Sequence, residues 1–220
     1  MTKQQTEVTD PSAKAAAQKA NVPFIERPPL TLIAQGVGPE KVDLYIGGTE
    51  GARDVGQLQD LGITTVINCA VNLDINYVTE PKLQADGDKR ATGMAPIRCY
   101  KIGLVDGPGN PRDMLLGGYF ILESALSQQI PEKASYPVRD RGHVLVHCRG
   151  GRSRSVALVA LFLHKDQPER FATLDDAIAH IRDKRDLHPD EWFETPKQVL
   201  IDAAEHAANA IDLLRAPTAG

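Results

Sequence analysis

Val144-Leu145-Val146-His147-Cys148-Arg149-Gly150-Gly151-Arg152-Ser153-Arg154-Ser155 decides how the rest of the chain is read. The run from His143 to His147 is short and nearly all apolar, which predicts a buried strand. It delivers a cysteine to its carboxyl end. Gly150 and Gly151 let the backbone turn tightly there. From Ser153 to His164 the sequence predicts a very apolar helix, one that is core packing and not a membrane anchor. Strand, glycine-bearing loop and helix in immediate succession form one edge of an α/β unit.

Working outward, the same alternation continues on both sides. Thr31 to Ala34, Val42 to Ile46, Ile63 to Cys69 and Ile97 to Leu104 read as strands, rich in β-branched and apolar residues. Ala52 to Leu61 reads as a helix with Val55, Leu58 and Leu61 on one face and Gly62 as its stop. Met114 to Leu126 reads as an amphipathic helix. Thr173 caps another, with Asp175 and Asp176 in its first turn. Pro189 and Asp190 begin a last helical region running to about Leu214, where Trp192 and Phe193 are expected to pack. Residues 71–95 and about 128–142 are polar and aperiodic, an insertion and a loop. The expected fold class is α/β, a single domain with a largely parallel central sheet flanked by helices. Its bounds are read as 30–214, after an N-terminal arm of residues 1–29, mobile or laid as a strap, and before a tail of 215–220.

Composition sets limits on function. The chain has 220 residues, 42% hydrophobic and 25% charged, which excludes a wholly disordered or fibrous protein. No apolar run approaches the roughly 20 residues a membrane helix needs, so no stable membrane insertion is expected. A net charge of −4 argues against general nucleic-acid binding. Cys69, Cys99 and Cys148 are odd in number and lack C-x-x-C spacing. A disulfide framework or zinc site is not expected, and a reducing, cytoplasmic setting is.

The loop after the central strand carries the chemistry. Its N–H groups and the helix N-terminus converge on one spot and make an anion site. That field favours a thiolate at Cys148. Arg154 follows six residues later, where a planar guanidinium can hold two phosphate oxygens. A nucleophile and a phosphate clamp in one loop suggest phosphoryl transfer through a phosphocysteine. C-x5-R alone arises often by chance. The full context, with His147 before the cysteine, Gly151 and Ser153 inside the loop and Ser155 after the arginine, is far more specific.

His147-Cys148-(five residues)-Arg154-Ser155 resembles the signature of the cysteine-based protein tyrosine phosphatase superfamily, in its dual-specificity branch. Leu44 to Gly47, Ile63 to Asn68, and Ala177, Ile181, Arg185 and Pro189 are similar to the opening and closing elements of those domains. The resemblance implies Cys148 as nucleophile, Arg154 as clamp, Ser155 as the hydroxyl that aids phosphoenzyme breakdown, and His147 as a residue behind the nucleophile that tunes it. Arg149, Gly150, Gly151, Arg152 and Ser153 would line the phosphate. No metal or cofactor is implied. The substrate would be a phosphorylated protein, with phosphotyrosine, phosphoserine and phosphothreonine all accepted.

The family also uses an aspartate as general acid, on a loop after a strand. Asp106 in Val105-Asp106-Gly107-Pro108-Gly109-Asn110-Pro111 stands there. Asp113 competes but sits where a helix N-cap is expected. Cys69 ends its own strand. If that strand lies parallel to Val144–Val146, both cysteines emerge at one sheet edge. The segment around Cys69 resembles the place where phosphoinositide 3-phosphatases carry a redox partner for the nucleophile. Cys99 reads as core, and His147, alternating with Leu145, as a hydrogen-bonded structural residue.

Two basic residues in the loop, Arg149 and Arg152, open an alternative. They are either solvated loop charges or cations for a highly charged substrate. Basic residues at both places resemble lipid phosphatases of the same fold, so a lipid or inositol phosphate phosphatase is the second reading. A catalytically silent phosphate-binding module is the third. Oligomeric state is not legible.

Overall fold

The computed structural model describes residues 27–78, 93–136 and 139–216. Five strands form one sheet: β1 (Leu30–Val37), β2 (Val42–Gly47), β3 (Ile63–Ala70), β4 (Arg98–Leu104) and β5 (His143–His147). Their order is β1-β2-β5-β3-β4. β1 pairs antiparallel with β2, and every other pairing is parallel. The strand that carries Cys148 is therefore central, flanked by β2 and β3. Its alternation sorts the two faces: Val144 and Val146 enter one core cluster and Leu145 the other.

The larger cluster lies under four helices: α3 (Met114–Ser127), α4 (Arg154–Asp166), α5 (Leu174–Lys184) and α6 (Gln198–Arg215). α4 is the hub of this layer. Its residues from Arg154 to Leu163 are all buried, which is why it reads as apolar all round. The smaller cluster lies under α1 (Thr49–Arg53) and α2 (Val55–Asp60). Tyr77 completes it, with its hydroxyl donating to the Ala52 carbonyl at 2.7 Å.

The largely parallel sheet flanked by helices is the expected architecture. Four local expectations are corrected. The helix expected over 52–61 is two, because Asp54 leaves the helical region and caps the second piece by accepting from the Gln57 amide. The last helical region is also broken. A 3-10 turn, Pro189–Glu191, ends before Trp192, and the helix proper starts at Gln198. Trp192 and Phe193 are consequently exposed, at 43% and 65%, and begin no helix. Cys99 is exposed and not core, since β4 is an edge strand and that side chain faces outward. Thr173 does cap α5, in a reciprocal capping box with Asp176.

The expected arm falls largely outside the described residues, as do 79–92 of the expected insertion, 137–138 of the loop and 217–220 of the tail. The end of the arm is fastened. Arg27 donates to the Asp186 carbonyl at 3.2 Å and pairs with Glu191, and the Pro28 carbonyl accepts from Arg185 at 2.9 Å.

Candidate active site

Parallel pairing places the carboxyl ends of β2, β3 and β5 side by side, the edge at which α/β sheets present their sites. Gly47 registers with His147 and Asn68 with His147 from the other side. Cys148 and Cys69, each one residue further, share that edge and the larger core cluster.

Three carbonyls of the loop from Cys148 to Arg154 are held from outside, and the Arg152 and Ser155 amides are directed at the Cys148 sulfur. The Arg149 carbonyl accepts from the Thr49 amide at 2.9 Å and the Thr49 hydroxyl at 3.1 Å. Arg185, itself 2% exposed, donates to the Gly150 and Gly151 carbonyls at 3.5 and 3.3 Å. The same guanidinium reaches the Pro28 carbonyl and the Thr31 hydroxyl. Burial, then Arg27, pushes the Arg185 pKa down to about 10, so it stays charged at neutral pH. Gly151 has φ +65°, and a Cβ there would meet the Gly47 backbone at 2.6 Å. Only glycine fits that turn against β2.

Inside this cradle Cys148 is buried. Burial acts to raise its thiol pKa. The Arg154 guanidinium, the Ser155 hydroxyl and amide, and the Arg152 amide outweigh burial and bring it below its ordinary value. The Ser155 oxygen lies 3.3 Å from Cys148 Sγ. Arg154 is 4% exposed. One of its terminal nitrogens reaches the Leu104 carbonyl at 3.4 Å, while its buried Nε has no hydrogen-bond partner among the described residues. A buried, unpartnered guanidinium N–H beside a thiolate is a prepared donor for an anion.

His147, next to Cys148, is fully buried. Burial is the main reason its pKa falls to about 4, so the ring is neutral. Its Nδ1 donates to the Cys148 carbonyl at 3.2 Å.

Asp106 lies beside Arg154. Its carboxylate is 3.8 Å from Arg154 and its side chain is 39% exposed. Asp113 holds the N-cap position of α3 but makes no capping bond, and its carboxylate pairs with His206 at 3.1 Å. Of the two aspartates, Asp106 is the one paired with Arg154.

Arg152 divides its two ends. Its amide helps hold the Cys148 sulfur, while its guanidinium turns away to Glu191 at 3.1 Å.

Three site-building residues escaped the sequence reading. Asn110 ties the loop that carries Asp106 with bonds to Val105 and Gly107. Lys197 donates from its ammonium to the Asp106 carbonyl at 3.0 Å and from its amide to Ser153 Oγ at 3.4 Å, joining the Asp106 loop to the Cys148 loop. Glu191 is the third. Asn110 was readable only as a turn residue, and the other two act across more than thirty positions of sequence.

No family model matches the chain. It is 32% identical over 158 residues to dual specificity protein phosphatase 13B of Mus musculus, an overlap of 72% of this chain and 69% of that one. To the Homo sapiens protein of the same name it is 34% identical over 158 residues, 71% and 68% of the two chains. The crystal structure of human DUSP28 carrying a tyrosine-to-histidine substitution superposes with a TM-score of 0.55 at 20% identity, covering 85% of this chain and 99% of that one. At that identity the superposition speaks for the fold.

Proposed function

The chain belongs to the dual specificity protein phosphatases, and from that membership we propose that it hydrolyses its phosphomonoesters through a phosphocysteine on Cys148. It acts on phosphorylated proteins; the tolerance for phosphotyrosine, phosphoserine and phosphothreonine comes with the family.

In the first half-reaction the Cys148 thiolate attacks phosphorus. The S–P bond forms as the bond to the leaving oxygen breaks, and Asp106 gives that oxygen its proton. Arg154 and the amides of residues 149 to 153 hold the non-bridging oxygens. In the second, Asp106 takes a proton from water as the water attacks phosphorus. The sulfur leaves as thiolate, steadied by the Ser155 hydroxyl. His147 stays neutral and orients the loop through the Cys148 carbonyl. Cys69, at the same sheet edge, is assigned as redox partner of Cys148.

The observation that carries this reading is the pairing of a lowered Cys148 thiol with the unpartnered Nε of Arg154 in one buried cradle. The test is Cys148→Ser. A thiol-free loop keeps its donors but loses the nucleophile, so turnover of a phosphopeptide vanishes while phosphate binding persists. Substantial turnover by the variant refutes the covalent route.

We assign residues 30–214 to the phosphatase domain, 1–29 to an arm and 215–220 to a tail. No helix among the described residues is long and apolar enough to cross a membrane. An odd number of cysteines without C-x-x-C spacing supports a reducing, cytoplasmic setting.

A further inference from the structure

Behind the phosphate loop lies a buried charge cluster that the reaction above does not use. Glu191 is 6% exposed. One of its oxygens accepts from Arg152 at 3.1 Å and the other from Arg27. The side chains of Arg27 and Arg152 are 8% and 14% exposed. Arg27 is further held by the Asp186 carbonyl, and Arg185 lies close enough to feel both other arginines. Glu191 thus joins two guanidiniums through its two oxygens, while Arg185 spends its donors on neutral oxygens.

A carboxylate buried between two cations has a consequence for the substrate. Arg152 is rooted in the loop, and its amide touches the nucleophile. Released from Glu191, its guanidinium would hang within one side-chain length of the bound phosphate. It would be the natural partner of a second anionic group on the substrate. Held by Glu191, it is already neutralised and mostly out of water.

We propose that Glu191 is a specificity-determining residue: it occupies the Arg152 guanidinium and so fits the site to isolated phosphomonoesters over substrates bearing clustered phosphates. Arg27 takes the second oxygen of the carboxylate and adds to the burial of the cluster, while the first oxygen holds Arg152 through a bond of its own. Specificity here comes from withdrawing a cation that the wrong substrate would use, which is discrimination by denying contacts. The inference rests on the phosphatase reading above and concerns the second anion a substrate brings, not the one that reacts.

The test compares kcat/KM for two probes in the full-length protein. One is a singly phosphorylated tyrosine peptide. The other is a soluble inositol tetrakisphosphate. Glu191→Gln keeps the shape of the side chain but removes the charge that neutralises Arg152, leaving only a weaker neutral acceptor. The ratio of inositol tetrakisphosphate to monophosphopeptide turnover is expected to rise about tenfold, the size of one charge-assisted hydrogen bond. Adding Arg152→Ala to Glu191→Gln returns the ratio to that of the parent. Arg27→Gln disturbs the same buried cluster but leaves Arg152 paired, so it lowers Tm without moving the ratio.

An unchanged ratio in Glu191→Gln overturns the proposal. So does a gain that survives Arg152→Ala, which would mean a general field, or an equal gain in Arg27→Gln, which would mean mere loosening. A parent protein unable to turn over the monophosphopeptide defeats the phosphatase reading itself. Normal turnover with a fixed ratio defeats only the role of Glu191.

Discussion

The Asp106 carboxylate stands 3.8 Å from the Arg154 guanidinium, so the proposed acid and the proposed phosphate clamp are within reach of each other. Two segments separated by a helix, a loop and a strand are joined there. Asp106→Asn should therefore lower kcat on phosphopeptides by about 10²–10⁴, the range for loss of a general acid. Aryl phosphates with good leaving groups need no proton and should lose far less. Asp113→Asn should stay near the parent on both, because that carboxylate serves His206. Steady-state kinetics with the two substrate types reads the difference. The reverse ranking of the aspartates would overturn the assignment.

The Asp106 loop is fastened at two points, Asn110 within it and Lys197 from outside. Neither residue touches reacting atoms. Lys197→Met or Asn110→Ala should leave the loop free to wander, at a cost of about tenfold in kcat on phosphopeptides, a modest misplacement penalty. The good-leaving-group substrate should again be nearly spared. Equal losses on both substrates would mean that the phosphate loop, not the acid, had been disturbed.

Gly151 is a separate constraint. Alanine there would sit at φ +65°, worth about 1–2 kcal/mol against any L side chain. Its Cβ would also lie 2.6 Å from the Gly47 backbone and 2.9 Å from Arg185, so the loop must move off β2. Gly151→Ala should lower Tm and remove phosphopeptide turnover together. Retention of full activity would show that the loop does not need its close seat on β2.

His147 gives a pH prediction. Its native pKa, about 4, lies below the ordinary 6.5. Between those values the unfolded chain binds a proton that the native ring refuses. Stability from this group is complete above about pH 6.5 and declines as the pH falls toward 4. The loss is about 3 kcal/mol at most, from 1.36 kcal/mol per pH unit. His147→Asn retains a donor for the Cys148 carbonyl but has nothing to titrate. Denaturant unfolding from pH 7 to pH 4 should show a smaller decline in the variant than in the parent. Parallel declines would remove His147 as a source of acid sensitivity.

What the sequence made legible follows from range. Cys148, Arg154 and Ser155 fall within eight residues, so strand, loop and helix fix their relation locally. Asp106 was readable because a strand end and a turn-rich loop lie next to each other in sequence. The parallel pairing of β3 with β5 was only a condition on Cys69, and the register supplies it. Glu191 and Lys197 left no trace, since a single charged residue near a helix start looks the same whether it meets solvent or a buried arginine. Phe193 and Cys99 misled for the opposite reason. Their apolar character suggests core, yet a broken helix start and an edge strand turn them outward.

The final prediction concerns oxidation. Asn68 pairs with His147, which brings Cys69 and Cys148 to one sheet edge and one core cluster. Their thiols differ. Cys148 is lowered, while burial, reinforced by the neighbouring Cys148, pushes Cys69 well up. Peroxide therefore meets one ready nucleophile. The Cys148 thiolate attacks an oxygen of peroxide, the O–O bond breaks, hydroxide leaves and a sulfenic acid forms. Cys69 then gives up its proton and attacks the Cys148 sulfur, and the displaced hydroxide takes the proton to become water. Because Cys69 holds its proton tightly, this second step should quicken with rising pH. Mild peroxide should inactivate the parent reversibly, with a Cys69–Cys148 peptide in the mass spectrum that a thiol reductant removes. Cys69→Ser should lose activity irreversibly as Cys148 passes to sulfinic acid. Cys148 found oxidised but never linked to Cys69, with equal recovery in the variant, would leave Cys69 as a buried core residue and nothing more.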